Sequence, residues 1–190
     1  IQAAGGYSLV SCSDEAVESG VIALEDYPIV DYILGLEKED SSDNPSRNSY
    51  YKTFSSPMQR AITSYCRAGG NLLISGAYVG SDMNKQGDRE FAQNILKYGY
   101  DNSLKTSEDK IAIQGLERTF HIPHLPNEQT YSVTAPDCLL PIAPAFPVMT
   151  YAIGNAAAAI AYQGNDYRTF VMGFPLESVQ VETDRNTIMA

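Results

Sequence analysis

The sequence SPMQRAITSYCRAGGNLLISG, residues 56–76, decides the fold that we expect for this chain. Ser56 and Gln59 have the spacing of a capping box, and apolar residues follow at helical intervals, so a helix is predicted to begin here. Gly69 ends the helix, because Gly readily adopts the left-handed conformation of a helix stop. The apolar residues 71–75 then predict a buried strand.

Further strand and helix signals flank this unit on both sides. Residues 7–11 and 28–34 are apolar runs that predict strands, and residues 88–98 predict a second helix that Gly99 ends. Nearly continuous apolar strands that alternate with capped helices are typical of a parallel sheet covered on both faces. The sequence therefore predicts an α/β fold, a three-layer, doubly wound domain with a mainly parallel sheet.

The second half of the chain has a different pattern. Residues 104–153 contain short strand-like pieces and many prolines without helical periodicity, and we interpret them as a β-rich insertion. Residues 156–162 and 168–173 are again core strands, and the intervening Gly-Asn-Asp at 164–166 predicts a hairpin. We expect residues 1–190 to form a single α/β domain that is a fragment of a longer multidomain chain.

Composition and charge exclude several classes of partner. The chain has 190 residues, with 23 Asp and Glu against 13 Lys and Arg, a net charge of −10. This charge repels phosphate backbones and argues against nucleic-acid binding. No apolar run approaches the roughly 18 residues of a transmembrane helix, so no membrane span is expected.

The three cysteines, Cys12, Cys66 and Cys138, contain no CxxC pair. We expect three buried, inert thiols, with one disulfide plus a free thiol as the open alternative. Residues 82–87 match a calcium-binding loop only in part, because a glutamine replaces one carboxylate or amide ligand and the final glutamate is missing. No Gly-rich nucleotide-binding motif follows the first strand. We therefore expect no metal and no cofactor.

Several segments together resemble a known family. They are VDYILG (30–35), SYCRAGGNLLISGAYVGSD (64–82), FAQNILKYGY (91–100), YSVTAPDCLLPI (131–142), NAAAAIAY (155–162) and RTFVMGFPLESV (168–179) with DRNTIM (184–189). The pattern resembles the C-terminal domain of secreted bacterial multidomain proteins called xanthan lyase-like. The resemblance implies a flavodoxin-like fold of the class I glutamine amidotransferase type, related to non-catalytic trimerisation-type domains of some glycoside hydrolases. It also implies a secreted, periplasmic or cell-surface location, with neighbouring domains of the parent chain as partners.

The amidotransferase resemblance assigns roles to three positions of this chain. An active member needs a cysteine on the turn after a central strand, where this sequence has Ser75. It also needs a histidine and a glutamate after a late strand, where this sequence has Phe174 and Glu177. Since a hydroxyl or thiol is a weak nucleophile without a base, the resemblance implies a degenerate site.

An alternative active site would use Ser75 with a different base. The only histidines, His121 and His124, lie in the β-rich stretch, and Asp137 or Glu177 would orient one of them. On this alternative the domain is a hydrolase or lyase that acts on polysaccharide, with Ser75 and Glu177 as catalytic residues. The competing interpretation is that Ser75 is a strand-end residue and the histidines lie at the surface or a sheet edge.

Candidate ligand-binding residues follow from position. Ligands of open α/β sheets lie outside the carboxyl ends of the strands, and the loops expected there carry polar side chains and tyrosines that suit a carbohydrate surface. The candidates are Asp14, Arg47, Tyr78, Ser81 and Asp82. The sequence thus predicts a non-catalytic accessory or interaction domain of an exported polysaccharide-processing protein, with polysaccharide as a further candidate partner. A self-association module through residues 178–190 and the prolines of 141–147 is a third possibility.

Overall fold

Nine strands and four helices make up the described part of the chain. The structure, a computed structural model, describes residues 6, 8–39, 52–84 and 87–190. The strands are β1 (Ile29–Gly35), β2 (Asn71–Gly76), β3 (Tyr98–Ser103), β4 (Lys110–Gly115), β5 (Arg118–Pro123), β6 (Asp137–Pro141), β7 (Phe146–Tyr151), β8 (Ala157–Gln163) and β9 (Arg168–Met172). The helices are α1 (Asp14–Glu18), α2 (Ser56–Arg67), α3 (Asp88–Phe91) and α4 (Glu182–Met189).

The strands form one mixed, strongly curled sheet. Its main path is β1-β2-β9-β8-β7-β4-β5, and β6 branches from β8 and carries β3. Only the β1–β2 and β2–β9 pairs are parallel, whereas every other pair between described strands is antiparallel. The predicted doubly wound, mainly parallel, flavodoxin-like sheet is therefore wrong. Short connections such as the hairpin between β8 and β9 reverse the chain, whereas parallel neighbours need a long crossover.

The stretch predicted as a β-rich insertion is part of this same sheet. Residues 104–153 supply four strands, and β4 pairs with β5 on one side and with β7 on the other. β7 in turn pairs with β8, so the stretch is continuous with the parallel strands through β8 and β9. The alternating burial in β4, where Ile111 and Ile113 are buried, is typical of strands with one covered face.

Helix α2 confirms the strongest sequence prediction, with its start displaced by one residue. The N-cap is Ser55, not Ser56, because Ser55 has an extended backbone and its Oγ accepts a hydrogen bond from the Met58 amide at 3.2 Å. The apolar face of Met58, Ile62 and Tyr65 is buried as predicted.

The second predicted helix is shorter than expected. α3 covers only Asp88–Phe91 and continues as a π-helical turn, Ala92–Leu96. Lys97 then adopts a left-handed conformation with φ 63°, which ends the turn two residues before Gly99. Tyr98 therefore begins β3, and it is fully buried with its hydroxyl donating to the Val79 carbonyl at 2.6 Å.

Apolar residues cover both faces of β2 and β9, the two inner strands of the three that pair in parallel. On one face Leu34, Ile74 and Val171 pack with the buried face of α2. On the other face Leu73 and Met172 pack with residues of the antiparallel strands and with the last turn of α4. The sheet thus has two cores, and the carboxyl ends of β1, β2 and β9 lie between them.

The segment before α1 is not a strand in the described part. Residues 8–12 are exposed and belong to no strand, so the predicted strand over 7–11 is wrong where it can be checked, and Tyr7 lies outside the described residues. β1 is consequently at the edge of the sheet, with β2 as its only described partner.

All three cysteines are free. Cys66 and Cys138 are buried as expected, and burial raises the pKa of the Cys66 thiol to about 12 and that of Cys138 to about 11. Cys12 is exposed, contrary to expectation. The described residues include no helix that is long and apolar enough to cross a bilayer.

Candidate functional site

The candidate site lies where the three parallel strands end. Ser75 of β2 is in register with Ile33 of β1 on one side and with Met172 of β9 on the other. Residues 173–177 leave β9 and reach a short 3-10 turn, which carries Glu177. The structure thus brings the segments of the two predicted catalytic residues, Ser75 and Glu177, to the same end of the sheet.

Ser75 has no base within reach in the described structure. Its side chain is fully buried, and the Oγ atom has no hydrogen-bond partner among the described residues. Phe174, which stands where the resemblance requires a histidine, is itself fully buried in the core. The ring Nδ1 of His124 lies 3.4 Å from the Val133 carbonyl, and the side chain of His121 is exposed. A nucleophilic serine needs a hydrogen-bonded base, and Ser75 lacks one here.

Glu177 has one paired and one unpaired oxygen. Tyr131 donates its hydroxyl to Glu177 Oε1 at 2.5 Å, and Oε2 is buried without a partner among the described residues. A side chain on Gly35 would crowd the pair, since its Cβ would lie 3.2 Å from Oε1 and 3.4 Å from the tyrosine oxygen. Burial and the hydrogen bond to this carboxylate raise the pKa of Tyr131.

A second carboxylate, Asp31 of β1, contributes to the same region. Both of its oxygens are buried, and neither has a hydrogen-bond partner in the described part of the chain. Burial raises the pKa of Asp31 to about 6, and the negative charge of Glu177 adds to this effect. Sequence reasoning missed Asp31, although a single charge in the middle of an apolar strand was a signal for it.

The polar groups of Ser81 form hydrogen bonds within the protein and do not present a free surface to a ligand. Its amide and its hydroxyl donate to Asp137 Oδ2 at 2.7 and 3.0 Å, and the Gly80 amide donates to the same oxygen at 2.8 Å. Ser103 donates to Asp137 Oδ1 at 3.1 Å. Burial nonetheless raises the pKa of Asp137 to about 6. Through these hydrogen bonds the Asp137 carboxylate connects the loop after β2 to β6 and β3, the two strands that branch from the main path of the sheet.

Asp82 connects two other loops in the same way, through hydrogen bonds to its carboxylate. Its Oδ2 accepts hydrogen bonds from the amide and the hydroxyl of Thr53, at 3.0 and 2.6 Å, and Oδ1 accepts the Glu39 amide at 3.0 Å. Tyr78 is half-buried, and Lys38 Nζ lies 5.1 Å from the centre of its ring. Both contacts stabilise the loops at this end of the sheet.

The two remaining predicted ligand-binding residues are Asp14 and Arg47. Asp14 begins α1, and burial together with the neighbouring Glu15 raises its pKa. Glu37 has its pKa raised to about 7 by burial and by the charges of Asp14 and Asp82. Arg47 lies outside the described residues. Across the described ranges, no group of three or more His, Cys, Asp or Glu side chains is arranged to hold a metal ion.

Comparisons with known proteins define the fold class. No protein-family profile matches the chain, and no curated protein does. Among solved structures, it is similar to Gan42B, a GH42 β-galactosidase from G. stearothermophilus, with TM-score 0.55, 9% identity, and coverage of 89% of this chain and 21% of that one. A β-galactosidase from Rahnella sp. R3 matches with TM-score 0.54, 12% identity and coverage of 88% and 22%. A β-galactosidase from the haloarchaeon Halorubrum lacusprofundi matches with TM-score 0.53, 16% identity, and coverage of 88% of this chain and 22% of that one.

These similarities correct the expected family. The chain spans about a fifth of the length of the β-galactosidases that it matches, and at such low identity the likeness shows the fold alone. The structural neighbours are not xanthan lyase-like C-terminal or flavodoxin-like domains, so the resemblance drawn from the sequence motifs is wrong. These neighbours are themselves named as β-galactosidases. The chain thus has a fold similar to part of the GH42 β-galactosidases.

Proposed function

We propose that this domain is a non-catalytic interaction domain of a carbohydrate-processing protein. The observation that carries the proposal is the state of Ser75, whose buried hydroxyl has no hydrogen-bond partner in the described structure, close to a fully buried Phe174. A site of this kind has neither the base nor the solvent access that acyl or glycosyl transfer needs.

The fold similarity supports the link to carbohydrate processing. The β-galactosidases that resemble this chain are about five times as long as the matched region, so the corresponding unit is one part of a larger protein. A unit of this size next to other parts of a chain has surfaces that make interdomain contacts.

The exposed side chains support contact with protein more than contact with sugar. The chain has no tryptophan, and among the thirteen exposed large hydrophobic side chains of the described part only Tyr131 and Phe146 are aromatic. In contrast, Ile29 and Ile33 of the edge strand are 51% and 55% exposed. Exposed aliphatic side chains that lie together on one element mark protein contacts, whereas sugar sites favour exposed aromatic rings.

A polysaccharide hydrolase or lyase is the second candidate, and one observation favours it. Asp31 has two buried carboxylate oxygens and Glu177 has one, their charges interact, and the pKa of Asp31 is raised to about 6. Glycosidases use a protonated carboxylic acid beside an ionised one, and burial is the usual means of keeping the acid protonated.

Activity measurements on matched variants separate the two candidates. We would incubate the purified chain with 4-nitrophenyl glycosides, 4-nitrophenyl acetate and polysaccharides, and measure nitrophenol, reducing ends and unsaturated products. The variants are Glu177→Gln, Asp31→Asn and Ser75→Ala, with Glu182→Gln on exposed α4 as the matched control. If the domain is non-catalytic, every variant should show only the reaction rate that the substrate has in buffer without protein. Turnover that disappears in Glu177→Gln or Asp31→Asn but persists in Glu182→Gln would establish the enzyme instead.

A further inference from the structure

A trough runs along the outer edge of β1. It has a volume of about 560 Å³ and is lined by every residue from Pro28 to Ile33. Because successive side chains of a strand point to opposite faces, a cavity that touches six consecutive residues lies beside the edge of the strand. Within the described residues β1 pairs only with β2, so this edge has no strand partner.

The walls of the trough extend to both faces of the sheet. Met58 and Ile62 of α2 line it on one face, and Met189 of α4 lines it on the other. Residues 8–13, which belong to no strand or helix, and Asp14 of α1 also line it. Six extended residues span roughly 20 Å, which is the length of an ordinary strand. The trough therefore has the position and the length of one additional strand.

The side chains of β1 include two exposed aliphatic residues and one carboxylate with buried oxygens. Ile29 and Ile33 lie on one face of the strand and are 51% and 55% exposed. Asp31 lies between them, and both of its oxygens are buried without a partner among the described residues. A buried carboxylate without a partner destabilises the protein, and a cation placed against it removes much of that cost.

We propose that the outer edge of β1 binds an extended segment of a partner protein as an added strand, with a Lys or Arg opposite Asp31 and aliphatic side chains opposite Ile29 and Ile33. Main-chain hydrogen bonds to the edge supply affinity in this mode of recognition, and alternate side chains supply specificity. The inference deepens the proposed function and rests on it, because it names the surface and the partner chemistry of the interaction domain.

Charge distinguishes this occupant from a second copy of the chain. Asp14 and Glu37 also line the trough, so its electrostatic character is negative and complementary to a basic segment. A second copy paired antiparallel about Asp31 would place two carboxylates opposite each other, which destabilises a strand pair. The charges therefore favour a different, basic chain.

The test uses two designed peptides that differ at one residue. One is acetyl-KTIVKVITK-amide, with the central Lys positioned to face Asp31, and the other has Glu at the centre. Each peptide carries an amino-terminal fluorescein in place of the acetyl group, and its binding to the whole chain is measured by fluorescence anisotropy. Asp31→Asn is the test variant and Glu182→Gln is the control. We expect the Lys peptide to bind about tenfold more tightly than the Glu peptide, as for one complementary charge pair. Asp31→Asn should bring the two affinities within about twofold, and Glu182→Gln should keep the difference.

Each other outcome overturns the inference. Equal affinities for the two peptides, or a preference that Asp31→Asn leaves intact, would refute the role of Asp31. If neither peptide binds to the chain although the chain is folded, strand addition would be refuted. Dimerisation through β1, or binding of hexylammonium with the same dependence on Asp31 but no peptide binding, would assign the trough to another occupant. None of these results produces turnover, so a failure here differs from a failure of the proposed function.

Discussion

The backbone of Asp137 lies directly against Gly173. The Asp137 amide donates to the Gly173 carbonyl at 3.0 Å, and a Cβ on Gly173 would overlap the Asp137 carbonyl oxygen. The hydroxyl of Tyr151 donates to both carbonyls, at 3.1 and 3.3 Å. This contact joins the start of β6 to the end of β9, one residue before Phe174, and so fixes the chain at the candidate site.

Gly173→Ala should therefore unfold more easily than the parent chain. The new methyl group would overlap backbone that neighbouring strands hold in place, and overpacking of this kind costs about 1–3 kcal/mol or more. Gly99→Ala is the control, because a methyl group on Gly99 would meet its nearest side-chain atoms at 3.7 and 4.0 Å, which are ordinary contact distances. Urea unfolding of the two variants measures the difference, and equal losses of stability would contradict the structure.

Asp137→Ala should loosen the loop after β2. The substitution removes the Oδ2 atom that accepts hydrogen bonds from the backbone amides of Gly80 and Ser81. Leaving buried donors unsatisfied costs about 1–3 kcal/mol each. Ser103→Ala, which removes one hydrogen bond to Oδ1, is the milder comparison. In urea unfolding, Asp137→Ala should be clearly less stable than Ser103→Ala, and the reverse order would exclude this role of the carboxylate.

Asp31→Asn should change how stability depends on pH. The pKa of Asp31 is raised by burial to about 6 in the folded chain, above the ordinary value of 3.8. The folded state therefore holds this proton more tightly, so the contribution to stability is full below about pH 4 and lost as the pH rises through about 6. At about pH 7 the variant should be more stable than the parent by on the order of 2 kcal/mol, and at about pH 4 nearly equal.

Urea unfolding at the two pH values measures this effect. The variant should keep part of the pH dependence of stability. The pKa of Asp137 is also raised to about 6, and the pKa of Glu37 is raised to about 7. A variant that is less stable than the parent at neutral pH would show that Asp31 has a cationic partner already.

Tyr131 and Glu177 should be energetically coupled. Tyr131→Phe removes the donor to Oε1 and leaves the carboxylate with less compensation for its burial, at a cost of about 1.5–3 kcal/mol. In a Glu177→Gln background the same substitution should cost clearly less, since the charge is gone. The double-mutant cycle, measured by urea unfolding at neutral pH, gives the coupling energy. A coupling near zero would mean that the hydrogen bond does not persist in solution.

Local signals were sufficient to predict several individual elements of the fold. The capping residues and apolar spacing around α2, the apolar runs of β1 and β2, and the Gly-Asn-Asp turn between β8 and β9 all predict elements that the structure contains. These features depend on residues close in sequence, where spacing and turn chemistry determine the local conformation.

Strand order could not be predicted in the same way. β6 pairs with β3 and with β8, and these partners are far apart along the chain. Tyr98 has the spacing of a helical residue, yet the buried hydroxyl contact with Val79 places it in a strand. Tertiary packing overrides local propensity at such positions.

The candidate site was predicted in part. The chain order alone predicts that Ser75 and Glu177 lie at one end of the sheet, because Ser75 is near the end of β2 and Glu177 follows β9. Tyr131 and Asp31 were not recognised, since the contact between Tyr131 and Glu177 joins residues 46 apart in sequence. Ser81 and Asp82 are at the expected end of the sheet, but they bind Asp137 and Thr53.

The central claim is that the domain meets its partner through the free edge of β1, and amide hydrogen exchange of the isolated chain tests this claim most directly. Every second amide of β1 points away from β2 and has no described strand partner. The account predicts that these amides exchange much faster than the amides of β2, which lies between β1 and β9. Slow exchange along the whole of β1, equal to that of β2, would show that the edge is already covered and would contradict the account.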